Sequence, residues 1–93
     1  LRFNAAQLNY WRTKDKAEVD FVIEAGQRLI PVEVKYKQLK QEKVPPSLRS
    51  FIEKYNPENA YVINLNLSKT LNVHKTTLFF MPFHELLRPN VII

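Results

Sequence analysis

The 93-residue sequence contains no cysteine, which excludes disulfide frameworks, thiolate metal sites and cysteine nucleophiles. It has one glycine, Gly26, so a glycine-rich phosphate loop cannot be built. It has two histidines, and a zinc site is therefore not expected. The longest apolar runs, such as 78–82 and 91–93, fall far short of the roughly 20 residues that span a bilayer. We therefore expect a cytoplasmic chain with no membrane segment and no signal peptide.

The composition is that of one small domain. Hydrophobic residues make up 45% of the chain, enough for one core, and we expect residues 1–93 to form a single domain. The formal net charge is +5 and the sequence pI is about 9.6, which permits a polyanionic partner without requiring one. Because the chain begins with Leu1 instead of methionine, we expect it to be a piece of a longer polypeptide.

Two segments with a period of two predict a β-hairpin over 17–24 and 28–37. Apolar positions are odd on the first strand and even on the second, so both rows face one core only if the loop has an even number of residues. A four-residue loop at 25–28 places Asp20 opposite Glu33, whereas a two-residue loop places Glu18 opposite Glu33. The buried row is predicted to be Val19, Phe21, Ile23, Ile30, Val32 and Val34. In either register the opposite face carries Glu18, Asp20, Glu33 and Lys35.

The rest of the chain predicts one helix and further strands. Leu48, Phe51, Ile52 and Tyr55 have the spacing of a helix with one buried stripe, and prolines bound it at about 46–55. Strands are predicted at 8–13, 60–65 and 76–81, with a helical turn at 83–87; the apolar stretch at 60–65 is typical of a central strand. The order is strand, strand, strand, helix, strand, strand, which indicates an α/β or α+β domain around one sheet.

The polar face of the hairpin carries most of the chemical information. Carboxylates that converge on one surface repel each other and require a compensating cation. Lys35 supplies one, and Mg²⁺ held by one or two carboxylates would supply another. A metal at this place lowers the pKa of a bound water and neutralises charge on a scissile phosphate. The alternative is an ordinary solvated face, because exposed strands often carry cross-strand pairs such as Glu18 with Lys35.

At these residues the chain resembles a known family. Asp20, twelve intervening residues and then Glu33-Val34-Lys35, on two consecutive strands before a helix and a strand, resemble the core of the PD-(D/E)xK nuclease superfamily. The longer strings at 10–14, 17–24, 30–35 and 48–51 are similar to a nuclease-like C-terminal domain of unknown function. That domain is attached to AAA+ ATPases of archaea and bacteria, and the similarity extends over roughly 8–87.

The resemblance implies a restriction-endonuclease-like mixed sheet and a catalytic site. It implies that Asp20 and Glu33 bind Mg²⁺ or Mn²⁺, that Lys35 is the catalytic lysine, and that Glu18 is an accessory acid. It also implies that the chain is the C-terminal part of a longer ATP-binding protein with the ATPase module in the same polypeptide. The superfamily has a further acid on a helix before the first strand, and nothing before Leu8 can hold such a helix. Either that acid lies upstream or this lineage lacks it.

Lysine and arginine side chains near the hairpin predict contacts with DNA phosphates. The predicted contact residues are Lys37, Lys40, Lys43, Arg12 and Lys14. A solvated loop explains the segment 37–43 equally well. Three functions therefore stay open: a metal-dependent DNA phosphodiesterase, an inactive nucleic-acid- or protein-binding module that regulates the ATPase, and an oligomerisation domain.

Overall fold

The structure is a computed structural model that describes residues 6–12 and 18–87, and the side chains of residues 19–85. It is an α+β domain with one mixed sheet, as predicted. The elements in chain order are β1 (Ala6–Arg12), β2 (Glu18–Ala25), β3 (Arg28–Val34), α1 (Pro46–Tyr55), β4 (Asn59–Asn64), β5 (Lys69–Val73), β6 (Thr76–Pro82) and a 3₁₀ helix (Phe83–Leu87).

The sheet has six strands in the order β1-β2-β3-β4-β6-β5. β3, β4 and β6 are parallel neighbours, and the remaining pairs are antiparallel. The predicted hairpin, helix, central strand and helical turn are confirmed. β5 was missed by the sequence prediction, because its residues are mostly polar and it lies at the edge of the sheet, where its side chains are largely exposed.

Helix α1 begins and ends where proline chemistry predicts. Pro46 is tolerated in the first turn because the first amides of a helix have no partner within it. At the other end Asn56 adopts a left-handed conformation with φ of 48°, and its amide donates to the Ile52 carbonyl. Pro57 follows, so the helix cannot continue. The apolar stripe of the helix, Leu48, Phe51 and Ile52, is buried against the sheet.

Both faces of the sheet are buried at its centre. On one face, the helix stripe packs with Val22, Val62, Leu78 and Phe80. The opposite face carries a second apolar cluster, in which Ile23, Ile30, Val32, Tyr61 and Ile63 are buried. We call these the helix face and the far face. Within the described residues, no helix is long and apolar enough to cross a membrane; the cytoplasmic location stays a prediction.

Five of the six residues predicted for one buried row do share the far face, and one does not. Phe21, Ile23, Ile30, Val32 and Val34 contribute to the far-face cluster, whereas Val19 belongs to the helix-face core. The reason is a register shift between β1 and β2: Asn9 pairs with Val22 but Trp11 pairs with Val19, so β2 has one residue more than β1 over this stretch. Such a bulge reverses the alternation of side chains. The prediction for Val19 was wrong for this reason.

Candidate functional site

The hairpin register brings the two predicted metal-binding residues together. Ala25 pairs with Arg28 across a two-residue turn, and the pairing continues to Phe21 with Val32. The ladder ends there, at the bulge of β2, and Asp20 and Glu33 are the next residues of the two strands. The charge of Asp20 acts on Glu33, so the two lie close together, as predicted for the longer loop. Gly26 occupies the turn with φ of 65°, a backbone conformation that glycine adopts without strain.

Asp20 lies at the bulge of β2 and completes the ladder with its side chain. Its Oδ2 accepts a hydrogen bond from the Val34 amide at 2.7 Å. In an uninterrupted ladder that amide would bond to a backbone carbonyl of β2. The carboxylate of Asp20 therefore replaces a backbone acceptor where the bulge has displaced it, and its position is fixed by the sheet.

Glu33 is the most deeply buried acid among the side chains that the structure describes, with 8% of its side chain exposed. Its Oε1 accepts a hydrogen bond from the Ser47 hydroxyl at 2.8 Å. Within the described side chains its Oε2 is buried without a hydrogen-bond donor, and the Lys35 Nζ lies 3.8 Å away. One oxygen of this carboxylate is thus oriented by helix α1, and the other has no donor.

Burial dominates the electrostatics of this site. Desolvation raises the pKa of the Glu33 carboxyl above its usual value, and the negative charge of Asp20 adds to the increase. The hydrogen bond from Ser47 and the charge of Lys35 lower the pKa and oppose these effects. Two carboxylates that influence each other in this way favour a cation between them over two isolated negative charges.

The carboxylate face is not a solvated strand face. Ser47 belongs to the first turn of α1, so the hydrogen bond to Glu33 shows that the helix covers this end of β3. The reading as an ordinary exposed Glu–Lys face therefore does not apply to Glu33. Lys35 follows β3 and is 39% exposed, which leaves its ammonium accessible from solvent. The side chain of Glu18 lies outside the described residues.

The donor set fits Mg²⁺ or Mn²⁺ in its chemistry. The buried Glu33 Oε2 without a donor is the kind of oxygen that a hard cation accepts as a ligand, and Mg²⁺ is commonly held by one or two carboxylates with water and phosphate. Across the described side chains no group of three histidine, cysteine or acidic residues converges. Asp20 and Glu33 are therefore the two residues that would hold the ion.

The structure brings together two of the five residues predicted to bind nucleic acid. Lys37 and Lys43 line one cavity of about 250 Å³, together with Lys35. Lys40 is exposed on the same connection and does not line this cavity. The side chain of Arg12, in β1, and the whole of Lys14 lie outside the described residues. We call the cavity the lysine pocket.

Residues 2–86 match the model of a family described as a domain of unknown function, DUF4143. The chain belongs to this family. No curated protein matches it. The predicted membership of a family of unknown function is thus confirmed, and the match extends over the hairpin, the helix and the remaining strands. The likeness of this DUF4143 domain to nucleases and its attachment to an ATPase stay predictions.

Sequence reasoning missed two groups of residues that shape the site. Ser47 orients Glu33, and its place after two prolines at the start of a predicted helix was the available signal. Asn64 is buried, and its Oδ1 accepts hydrogen bonds from the amides of Asn66 and Leu67 at 2.9 and 2.5 Å. Asn66 in turn holds the connection between β3 and α1 through two hydrogen bonds with the backbone of Leu39. No sequence pattern indicated these contacts.

Proposed function

We propose that this DUF4143 domain is a metal-dependent nuclease domain that cleaves phosphodiester bonds in DNA. The observation that supports it is the buried Glu33 carboxylate, one of whose oxygens has no hydrogen-bond donor. A buried polar atom left without a partner costs about 1–3 kcal/mol, and more when it is charged, so a neutral side chain would serve a purely structural role better. A carboxylate at this position is favourable when a cation binds it.

The roles of the three residues follow from their positions. Asp20 and Glu33 would hold Mg²⁺ or Mn²⁺, with Asp20 fixed by the Val34 amide and Glu33 by Ser47. The bound ion would lower the pKa of a water and offset charge on the phosphate. Lys35, accessible to solvent and 3.8 Å from Glu33, would orient the attacking water and stabilise the negative charge that develops on the phosphate.

The second candidate is a binding module that contacts nucleic acid or protein and regulates an ATPase module in the same full-length chain. The observation that favours it is the bond between Asp20 and the Val34 amide, which gives one predicted metal ligand a structural role of its own. The pairing of Glu33 with Lys35 likewise provides partial charge compensation without a metal. Only the first candidate predicts cleavage of DNA.

A nuclease assay with matched variants separates these candidates. We expect the chain to cut DNA with Mg²⁺ or Mn²⁺ and not with a chelator. Lys35→Met should lower the rate by about 10²–10³, the effect of removing one group that stabilises transition-state charge. The variant should keep its metal-induced rise in melting temperature. Lys75→Met removes the same charge from the exposed turn between β5 and β6, outside the site, and should cut like the wild type.

Asp20→Asn tests the metal ligands without disturbing the sheet. The amide oxygen can still accept the hydrogen bond from Val34, so the fold should be retained while metal binding and cleavage are both lost. Equal cutting by all preparations would identify a contaminating nuclease. If the wild type binds DNA and never cuts it, in this chain or a longer one that carries the upstream segment, the binding module is the better description.

A further inference from the structure

β3, β4 and β6 are parallel, so their carboxyl-terminal ends lie together along one edge of the sheet, the edge perpendicular to the strands. Exposed apolar side chains cluster at this edge. Val34 pairs with Ile63 and Ile63 pairs with Met81, so the ends of β3, β4 and β6 lie in register. Tyr36, Leu65 and Phe83 lie two residues further along the chain from Val34, Ile63 and Met81, and they are 83%, 50% and 49% exposed. Tyr36 follows β3, Leu65 follows β4 and Phe83 begins the 3₁₀ helix after β6, so all three lie just beyond the strand ends. They form three of the four large, exposed apolar side chains in the described part of the chain. We call them the apolar row.

The lysine pocket lies at the same edge, on the helix face. Lys35 and Lys37 alternate with Tyr36, and Lys43 approaches from the connection to α1. No acidic residue lines the pocket, and its remaining wall includes Leu39, Val44 and Val62. Three ammonium groups beside an apolar wall suit a ligand that has both an anionic and an apolar part.

The pocket is held in place by hydrogen bonds, so it exists before a ligand arrives. The Leu65 amide donates to the Lys37 carbonyl at 3.2 Å, which extends the pairing of β3 with β4 past the end of β3. Asn66 accepts from the Leu39 amide at 2.7 Å and donates to the Leu39 carbonyl at 3.0 Å. A fixed connection loses little conformational entropy on binding, which favours affinity.

We propose that this edge binds an unpaired nucleic-acid strand, with a phosphate in the lysine pocket and bases on the apolar row. Sites for single strands combine a positive groove that follows the backbone with aromatic side chains on which bases stack. Tyr36 follows β3 and Phe83 follows β6, and these two strands lie two spacings apart, roughly 10 Å, so each ring can meet a different base. This inference rests on the proposed function, because Lys35 belongs both to the pocket and to the carboxylate site.

Duplex DNA suits this edge less well. The lysine pocket, about 250 Å³, is below the usual size of a ligand site and suits a single phosphate group, so the preference between strands rests on the apolar row. Bases within a duplex already stack on their neighbours, so Tyr36 and Phe83 gain contacts only with bases that are free. The structure thus assigns single strands, or the unpaired ends of duplexes, as the class of substrate.

Fluorescence anisotropy in a chelator tests binding without cleavage. The 93-residue chain is titrated into a labelled oligothymidylate of about 15 nucleotides, a length near the upper end of known single-strand site sizes, and into a duplex of equal length. We expect tighter binding of the single strand. Tyr36→Ala and Phe83→Ala should each weaken it by about fivefold or more, the usual range for loss of one stacked base. Tyr55→Ala, an exposed tyrosine at the end of α1, should bind like the wild type.

The salt dependence of single-strand binding tests the lysine pocket separately from the apolar row. Lys37→Gln and Lys43→Gln should each reduce the slope of log affinity against log salt by about 0.7, the value for one phosphate contact of a single strand. Lys75→Gln removes the same charge from the exposed turn between β5 and β6, away from the pocket, and should leave the slope unchanged.

Equal or tighter binding of the duplex overturns the inference, and so does wild-type affinity in Tyr36→Ala and Phe83→Ala. Wild-type affinity in these two variants would indicate that the apolar row contacts a protein instead of nucleic acid. Failure of this inference is distinguishable from failure of the proposed function. A chain that binds single strands and never cuts refutes only the nuclease, whereas one that cuts duplexes with no preference for single strands refutes only the substrate class.

Discussion

Glu33→Gln should make the protein more stable without metal and less stable with it. The amide keeps an acceptor for the Ser47 hydroxyl and removes the buried charge. Replacing a desolvated carboxylate by a neutral amide lowers the cost of burial by about 1–3 kcal/mol, and loss of the partly exposed Lys35 pair subtracts up to about 1 kcal/mol. The net gain in the free energy of unfolding is about 1 kcal/mol, which raises the melting temperature of a domain of this size by about 4–8 °C.

Saturating Mg²⁺ should reverse the order of stability of the wild type and the Glu33→Gln variant. At a free Mg²⁺ concentration of about 100 times the dissociation constant, binding to the native state adds about 2.7 kcal/mol. The wild type receives this increment and the variant does not, so the wild type becomes the more stable protein. Differential scanning calorimetry measures the melting temperatures of both proteins, once with a chelator and once with saturating Mg²⁺. Glu42→Gln, an exposed acid in the connection to α1, is the control and should melt like the wild type in each condition.

The stability difference between the wild type and Glu33→Gln should depend on pH, in a direction set by the pKa of Glu33. The pKa of Glu33 is raised in the folded protein, so folding disfavours its ionised form. The penalty is absent below the unfolded pKa of about 4.3, where both states are protonated. It grows as the pH rises from there towards the folded pKa, and it is complete above the folded pKa. Without metal, the advantage of Glu33→Gln should therefore vanish in acid and increase as the pH rises. A variant less stable than the wild type in chelator at neutral pH, or an unchanged response to Mg²⁺, would refute this reasoning.

Three further changes have outcomes that the contacts predict. Ser47→Ala removes the hydroxyl bonded to the Glu33 carboxylate and should cost about 1.5–3 kcal/mol in urea unfolding at neutral pH. The cost should shrink in acid, where Glu33 is protonated. Gly26→Ala should cost about 1–2 kcal/mol, because φ is positive although the space is open, and Gly26→Asn should cost less. Asn64→Ala leaves the Asn66 and Leu67 amides without their acceptor, and urea unfolding should show a loss of about 2 kcal/mol.

The sequence predicts the helix and the hairpin because local chemistry sets both. Prolines bound α1 at Pro46 and Pro57, and odd and even apolar positions leave few registers for β2 and β3. The pairing of Asp20 with Glu33 follows from that register. These features depend on residues close together in the chain, and such patterns are visible in a sequence.

What was missed depends on contacts between distant segments. The burial of Glu33 arises because α1 returns over the carboxylate face, and alternation along one hairpin does not show which faces are covered. The bulge that moves Val19 to the helix face is a property of the pairing with β1. Strand β5 has a weak apolar pattern because it lies at the sheet edge. The lysine pocket needs the Asn66 contacts, which join positions 27 residues apart.

The hydrogen bond between the Val34 amide and Asp20 also provides a spectroscopic probe. An amide proton that points at a carboxylate oxygen 2.7 Å away senses the charge on that oxygen. The Val34 resonance in a nitrogen–proton correlation spectrum should therefore move when a cation approaches Asp20, and again when Asp20 is replaced by asparagine. This one backbone signal thus reports directly on occupation of the carboxylate site.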